Sequence, residues 1–287
     1  MKKDEVIRVL KIMFRNKLSL LGIIIILVLM LMAIFAPFLA PYPDQARGEP
    51  NLEEKLQPPS SKHLFGTDYM GRDVLSRVIY GARISLLVAI AVVSLGLLIG
   101  IPLGLLAGFK GGVVDTIIMR VTDIFLSFPP LLLALLISVT LGRGLENTII
   151  ALAVSWWPWY TRLIRGMAIS IKEKPYVEVA KSMGISSWRI IARHILPNAI
   201  SPVVVQGTMD MGSAILEASA LSFLGLGVQP PTADWGLMVS QGKGYLLNFW
   251  WYPTFPGLAI FITVLAFNLV GDTLREILDP RLRRRFL

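Results

Sequence analysis

From Leu18 to Phe35 the chain is almost uninterrupted hydrocarbon, a run that cannot face water and is too long for an ordinary buried strand or helix. At about 1.5 Å per helical residue, roughly 20 residues cross the hydrocarbon core of a bilayer, where only helices and closed barrels satisfy their own backbone. The run therefore predicts a membrane-spanning helix. Further apolar stretches recur at about 83–109, 114–141, 146–165, 199–223 and 253–272, parted by polar turns and Pro-rich segments. With 54% apolar and 16% charged residues over 287 positions, an ordinary soluble domain is excluded. The expected fold class is an all-α integral membrane protein with six transmembrane helices.

The segments between the runs set the orientation. Residues 1–17 are basic, residues 18–40 are the first helix, and residues 273–287 form a tail rich in arginine. Ala33, Ala36 and Ala40 supply small residues of the kind a signal peptidase needs, but the length of the run favours a retained helix. Placing both termini, the Lys110 turn and the loop 173–197 on one face gathers most of the 28 Lys and Arg there. By the positive-inside rule that face is cytoplasmic. The net charge of +9 is thus assigned to the lipid boundary, and no nucleic-acid partner is expected. Residues 41–82 then lie outside. Pro41, Pro43, Pro50, Pro58 and Pro59 forbid long helices at the start of that loop, and its charges nearly cancel. His63 stands in it as a lone imidazole, expected to be solvated. With no cysteine, disulfides and thiolate metal sites are excluded.

Several spans carry residues that lipid would reject. Gly96, Gly100, Gly104 and Gly108 recur every fourth position, lie nearly on one line of a helix, and mark where another backbone approaches closely. Pro102 should bend that helix. Asp115, Arg120 and Asp123 open the third span, where a charge near the midplane costs roughly 2.5 to 3.5 kcal/mol, and Arg120 is spaced to pair with Asp123. Pro129 and Pro130 break the same span, either as a simple kink or as the border of a cavity. In the fourth, interrupted by Pro158, Trp156, Trp157, Trp159 and Tyr160 read as a headgroup belt, with an aromatic substrate cage as the alternative. Asp210 and Glu217, seven apart in the fifth, share a face; neighbouring helices hold them, or they border the path of a cationic substrate group such as a peptide amino terminus. Trp235, Trp250, Trp251 and Tyr252 suit an interfacial collar outside the membrane.

The loop 173–197 reads as two short amphipathic helices. Val177, Ala180 and Met183 share a face of the first, which runs from Tyr176 to Met183 and breaks at Gly184. Ser186 or Ser187 caps the second, with Trp188, Ile191, Ala192 and Ile195 on its stripe, Arg189 and Arg193 off it, and Pro197 interrupting the pattern. Such a unit suits docking into a soluble partner or resting on headgroups.

At this point the chain resembles a known family. Glu178, Ala180, Gly184, Leu196 and Pro197 stand at the spacing of the EAA loop of bacterial ABC importer permeases, with Val179 in place of a second small residue and His194 where isoleucine is usual. The stretches His63–Leu86 and Leu216–Gly236 are similar to the C-type permease subunit of the dipeptide, oligopeptide and nickel importers. The resemblance implies a type I, MetI-like permease domain over residues 83–272, with Glu178, Val179, Ala180, Gly184, Trp188, His194, Leu196 and Pro197 coupling to an ATPase. It implies as partners a second related permease in a heterodimer, two ABC ATPase subunits and an extracytoplasmic binding protein. The substrate it implies is a peptide, or alternatively a nickel chelate or an oligosaccharide. ATP and magnesium would be used by the ATPase subunits, with no cofactor bound by this chain. The residues agree with a non-enzymatic role: Gly242–Gly244 lacks the flanking residues of a phosphate loop, and neither HExxH nor GxSxG occurs. Outside the class, an ion-coupled secondary transporter would use the intramembrane carboxylates, although no inverted repeat is visible.

Overall fold

The computed structural model describes residues 16–278, so the basic segments 1–15 and 279–287 that carry part of the orientation argument lie outside the described residues. Asn16 starts the first long helix by accepting the backbone N–H groups of Leu18 and Ser19 at 3.0 and 3.4 Å, donors that a helix start leaves free. That helix, α1, spans Lys17–Ile34. After two short helical turns the chain reaches Asp73, whose carboxylate accepts the Ser76 N–H at 2.7 Å and caps α2, Val74–Lys110. At 37 residues α2 is about 55 Å long, more than a bilayer core needs, and it begins nine residues before the span expected from 83. Its first turns therefore stand clear of hydrocarbon.

Gly111, at a φ of 67° that favours glycine, turns the chain into α3, Gly112–Leu126. Pro129 and Pro130 end α3 and start α4, Pro130–Leu141, at a bend of 87°. The remaining helices are α5 (Leu145–Lys172), α6 (Pro175–Ser182), α7 (Ser187–Ile190), α8 (Leu196–Phe223), α9 (Trp235–Gly242) and α10 (Trp251–Leu278). Apart from one antiparallel bridge between Thr67 and Asp73, the described residues contain no β-structure. Helices α1, α2 and α10 are long and apolar enough to cross a membrane, as is the bent pair α3 and α4 taken together. α5 and α8, each 28 residues and about 42 Å long, have the length but carry more polar groups.

The most extensive helix pairing is α2 against α5, and the glycine row makes it. A Cβ on Gly96 would come within 2.9 Å of the Tyr160 ring, on Gly100 within 2.6 Å of Tyr160 Cβ, on Gly104 within 2.6 Å of the Thr161 carbonyl, and on Gly108 within 2.7 Å of Ala168 Cβ. The groove left by those missing side chains is filled by the Tyr160 ring at its start and by the backbone, Ile164 and Ala168 of α5 along the rest. This overturns the headgroup-belt reading of the aromatic cluster: Trp156, Trp157 and Tyr160 are buried in the bundle, and only Trp159 is exposed. Pro158 does not interrupt α5 either. It removes one N–H from a helix held by α2 along its length, a loss that membrane bundles tolerate.

The segment between α1 and α2 is more ordered than a Pro-rich loop suggests. Trp235, Trp251 and Tyr252, expected in an interfacial collar, are buried around the first turns of α2, and Trp235 donates its indole N–H to the Val78 carbonyl at 2.9 Å. Trp250 alone of that group is exposed. His63 is only 2% exposed rather than solvated. Its Nδ1 lies 2.8 Å from Asp73 Oδ1, its Nε2 lies 3.1 Å from Glu54 Oε2, and Tyr42 covers the ring at 4.8 Å. Because Asp73 also caps α2, this imidazole ties the loop to the end of the longest helix.

Candidate functional site

The loop between α5 and α8 combines a buried face with an exposed one. Val177 and Ala180 of α6 pack with Ile164, Ala168 and Ile171 of α5 and with Ile190, Ile191 and Ile195. Gly184, at a φ of 73°, closes α6: its N–H donates to the Lys181 carbonyl at 2.9 Å and the Ile185 N–H to the Ala180 carbonyl at 3.2 Å, the paired bonds of a Schellman motif. A Cβ at Gly184 would meet nothing within 4 Å, so the glycine answers a backbone requirement and not a crowded one. Glu178 and Val179 are exposed, as are Tyr176, Met183 and Trp188. Met183 thus leaves the face predicted for it, since six residues beyond Val177 it has turned about a third of a circle away and α6 has already ended at Ser182.

The second half of the loop departs further from expectation. After α7 the chain makes a π-helical turn over Ile191–Ile195 and passes without a break into α8, with Pro197 in the first turn of that helix. Pro197 therefore does not interrupt the helical run: it withholds one backbone N–H directly after the π turn, a loss that a membrane bundle tolerates. The wider turn also changes the register. Ile190, Ile191 and Ile195 point inward, while Trp188 at 76% exposure and Ala192 leave the stripe assigned to them. His194 is half-buried, with its ring 6.2 Å from that of Tyr176, and Leu196 is likewise half-buried beside an exposed Pro197. From Ser187 to Phe223 the backbone is continuously helical, and its loop end exposes Trp188 beside Arg189 and Arg193.

That rod carries Asp210 and Glu217, and both line a cavity of about 270 Å³ between α8, α5 and the bend of α3 and α4. Trp156 donates its indole N–H to Glu217 Oε2 at 2.9 Å, and Gln206 donates to Asp210 Oδ1 at 2.9 Å. Ser213 and Trp159 open onto the same space, with Leu126 and Pro130 as its apolar wall. The structure thus puts Pro130 at a cavity border, one of the two readings left open for the double proline. Among the described residues neither Asp210 nor Glu217 has a cationic partner.

Two ion pairs join α3 to α5 on one side of this cavity. Arg165 grips Asp115 through both carboxylate oxygens at 2.5 and 2.6 Å, and Arg162 pairs with Asp123. Asp123 is therefore held by α5 and not by Arg120, three residues away: the two helices run side by side, and a partner across the seam keeps its charge off the lipid face. The pattern in the sequence showed acids on one span and arginines on another, but nothing in it paired them. Asp123 sits about 16 Å along α3 from Gly112, and both it and Arg162 are half-exposed. A charge pair left half-exposed on a span suits a border with water or protein better than one with hydrocarbon.

With this geometry established, the chain can be set beside known proteins. Residues 100–284 match the family described as binding-protein-dependent transport system inner membrane component, and residues 7–59 match the N-terminal TM domain of oligopeptide transport permease C. The chain is 46% identical over 266 residues to the probable D,D-dipeptide transport system permease protein DdpC of Escherichia coli (strain K12), covering 93% of this chain and 88% of the other. It is 43% identical over 271 residues to the dipeptide transport system permease protein DppC of Bacillus subtilis (strain 168), covering 94% and 84%. Among solved structures, the inward-facing MetNI methionine ABC transporter superposes with a TM-score of 0.55 at 20% identity, over 71% of this chain and 97% of the other, a likeness of fold.

Proposed function

Because the chain belongs to the family of binding-protein-dependent transport system inner membrane components, we propose that it is the permease subunit of an ATP-driven ABC importer of peptides, moved from the cytosol through the loop 173–197. The chain is a multi-pass membrane protein and not itself an enzyme. Six spans, α1, α2, the bent pair α3 and α4, α5, α8 and α10, put both termini in the cytoplasm. There the loop meets one of two ATPase subunits, which use ATP and magnesium. A second related permease completes the pore, and an extracytoplasmic binding protein delivers the peptide. Glu178, Val179, Ala180, Gly184, Trp188, His194, Leu196 and Pro197 make up the coupling surface, and Asp210 and Glu217 line the path.

The observation that carries this reading is the unbroken rod from Ser187 to Phe223. One end exposes Trp188, which with Tyr176, Val179 and Met183 of the preceding segment is surface of the kind a partner's groove buries, and its middle forms the wall of a cavity. Any displacement of the loop is therefore passed to that wall along one continuous helical backbone, through the π turn at Ile191–Ile195 and past Pro202. ATP binding draws the ATPase pair together, carries the loop with it and turns the cavity outward; hydrolysis returns it. The ATPase drives this equilibrium only as far as it grips the two states differently. ATP-driven accumulation of dipeptides in proteoliposomes holding the complete transporter tests the proposal. Uptake that persists without ATP and collapses with an ionophore would instead assign the carboxylates to ion coupling.

A further inference from the structure

Resting on the importer reading, we propose that the cavity between α5 and α8 is a recognition site for the free α-ammonium group of the transported peptide. A peptide carries a cation at one end and an anion at the other. The cavity offers the carboxylates of Asp210 and Glu217, and among the described residues no cation answers either of them. The Trp156 indole N–H holds one oxygen of Glu217, and the residue lines the cavity. Asp210 Oδ2 is buried against the Tyr160 hydroxyl, a neutral donor that brings no charge. A second observation points the same way. Asp123 and Arg162 on the adjoining helices are half-exposed charges that hydrocarbon disfavours and water accommodates, which suits a hydrated route into the cavity.

The remaining lining fits the rest of a terminal residue. Trp159, half-exposed at the rim, presents an indole that attracts a cation. Leu126 and Pro130 offer apolar surface to a side chain. At about 270 Å³ the space lies just below the roughly 300 to 1,000 Å³ of pockets that enclose a drug-sized ligand, and so it takes the first residue of a peptide and not its length. The carboxyl-terminal end is repelled by the same two acids. Polarity of entry follows: the amino end leads into the cavity and the chain length behind it is left unspecified.

The chain has no cysteine, so Ser213→Cys, at an exposed cavity position on α8, places a single thiol there. In the complete transporter in nanodiscs, its rates of reaction with a trimethylammonium-ethyl and a sulfonatoethyl methanethiosulfonate are each divided by the rate with free mercaptoethanol. The transporter lacking the new cysteine serves as the blank. The expected ratio favours the cation on the order of 10-fold or more, and falls to near one when Asp210→Asn and Glu217→Gln are added. Dialanine with a free amino group slows the reaction, whereas N-acetyl-dialanine does not; this arm needs no carboxylate variant. Any of four results overturns the proposal: no charge preference, a preference that survives removal of both acids, no protection by dialanine or equal protection by the acetylated peptide, or a thiol that does not react at all. ATP-driven uptake by the transporter lacking the new cysteine judges the importer reading separately.

Discussion

At the scale of single residues, the glycines of α2 and the imidazole of His63 do different kinds of work. Gly104 is packed so that a side chain meets the Thr161 carbonyl and the Ile164 side chain of α5, neither of which can step aside. Gly104→Val is expected to cost on the order of 1 to 3 kcal/mol or more, read as a several-fold loss of assembled transporter and a lower melting temperature in detergent. Gly166→Ala, where a Cβ meets nothing within 4 Å, is the control and should be neutral or slightly stabilising. In the outer loop, Lys62 and then His63 hold the Glu54 carboxyl below its ordinary value of 4.5. A lowered carboxylate stabilises above its unfolded pKa and ceases to do so as pH falls through the folded one. Protease nicking within 41–73 should therefore rise on acidification below about 4.5, and Glu54→Gln should flatten that dependence; a loop equally resistant at all pH would remove Glu54 from its anchoring. The glycine period was legible in the sequence because helical geometry alone places such residues in line. His63 was not, since its partners Glu54 and Asp73 are brought to it only by the turns between them.

At the scale of elements, the loop 173–197 shows where periodicity succeeds and where it fails. The break at Gly184 could be read directly, because a left-handed residue after a short amphipathic helix is what glycine provides. The stripe on the second helix could not, since the π turn at Ile191–Ile195 resets which residues face inward. A pattern read at 3.6 residues per turn loses its phase there, and Trp188 emerges on the surface instead. The aromatic cluster of α5 failed for a related reason: a ring that fills a glycine groove and a ring that marks a headgroup layer look alike until the partner helix is known. Gly184→Asp puts a Cβ in the left-handed region, which aspartate tolerates better than most residues, at about 1 kcal/mol, and adds a charge beside the exposed Met183. Assembly in the membrane should be largely retained while peptide uptake per ATP hydrolysed falls at least several-fold. Uptake at the native ratio would show that the loop's geometry does not carry the coupling.

For the whole molecule, the all-helical membrane class followed from hydrophobic runs that no soluble fold absorbs. The two helices that matter most to transport were also the hardest to see as spans, because α5 and α8 carry the arginines, carboxylates and amides that border the cavity and the ion pairs. A path for a charged solute needs polar helices at the centre, and polarity is what hides a helix from an apolarity test. The α3 and α4 bend, α5 and α8 enclose the cavity, α2 braces α5 through its glycines, and α8 reaches from cavity to loop as a single lever. The central claim is that a motor outside this polypeptide holds that lever from the cytosol. Its most direct test is Met183→Cys, an exposed position on a chain without other cysteines, probed with a membrane-impermeant maleimide. The account predicts labelling in inverted vesicles stripped of the ATPase, protection when the ATPase is bound, and no labelling in intact cells; labelling from outside intact cells would contradict it.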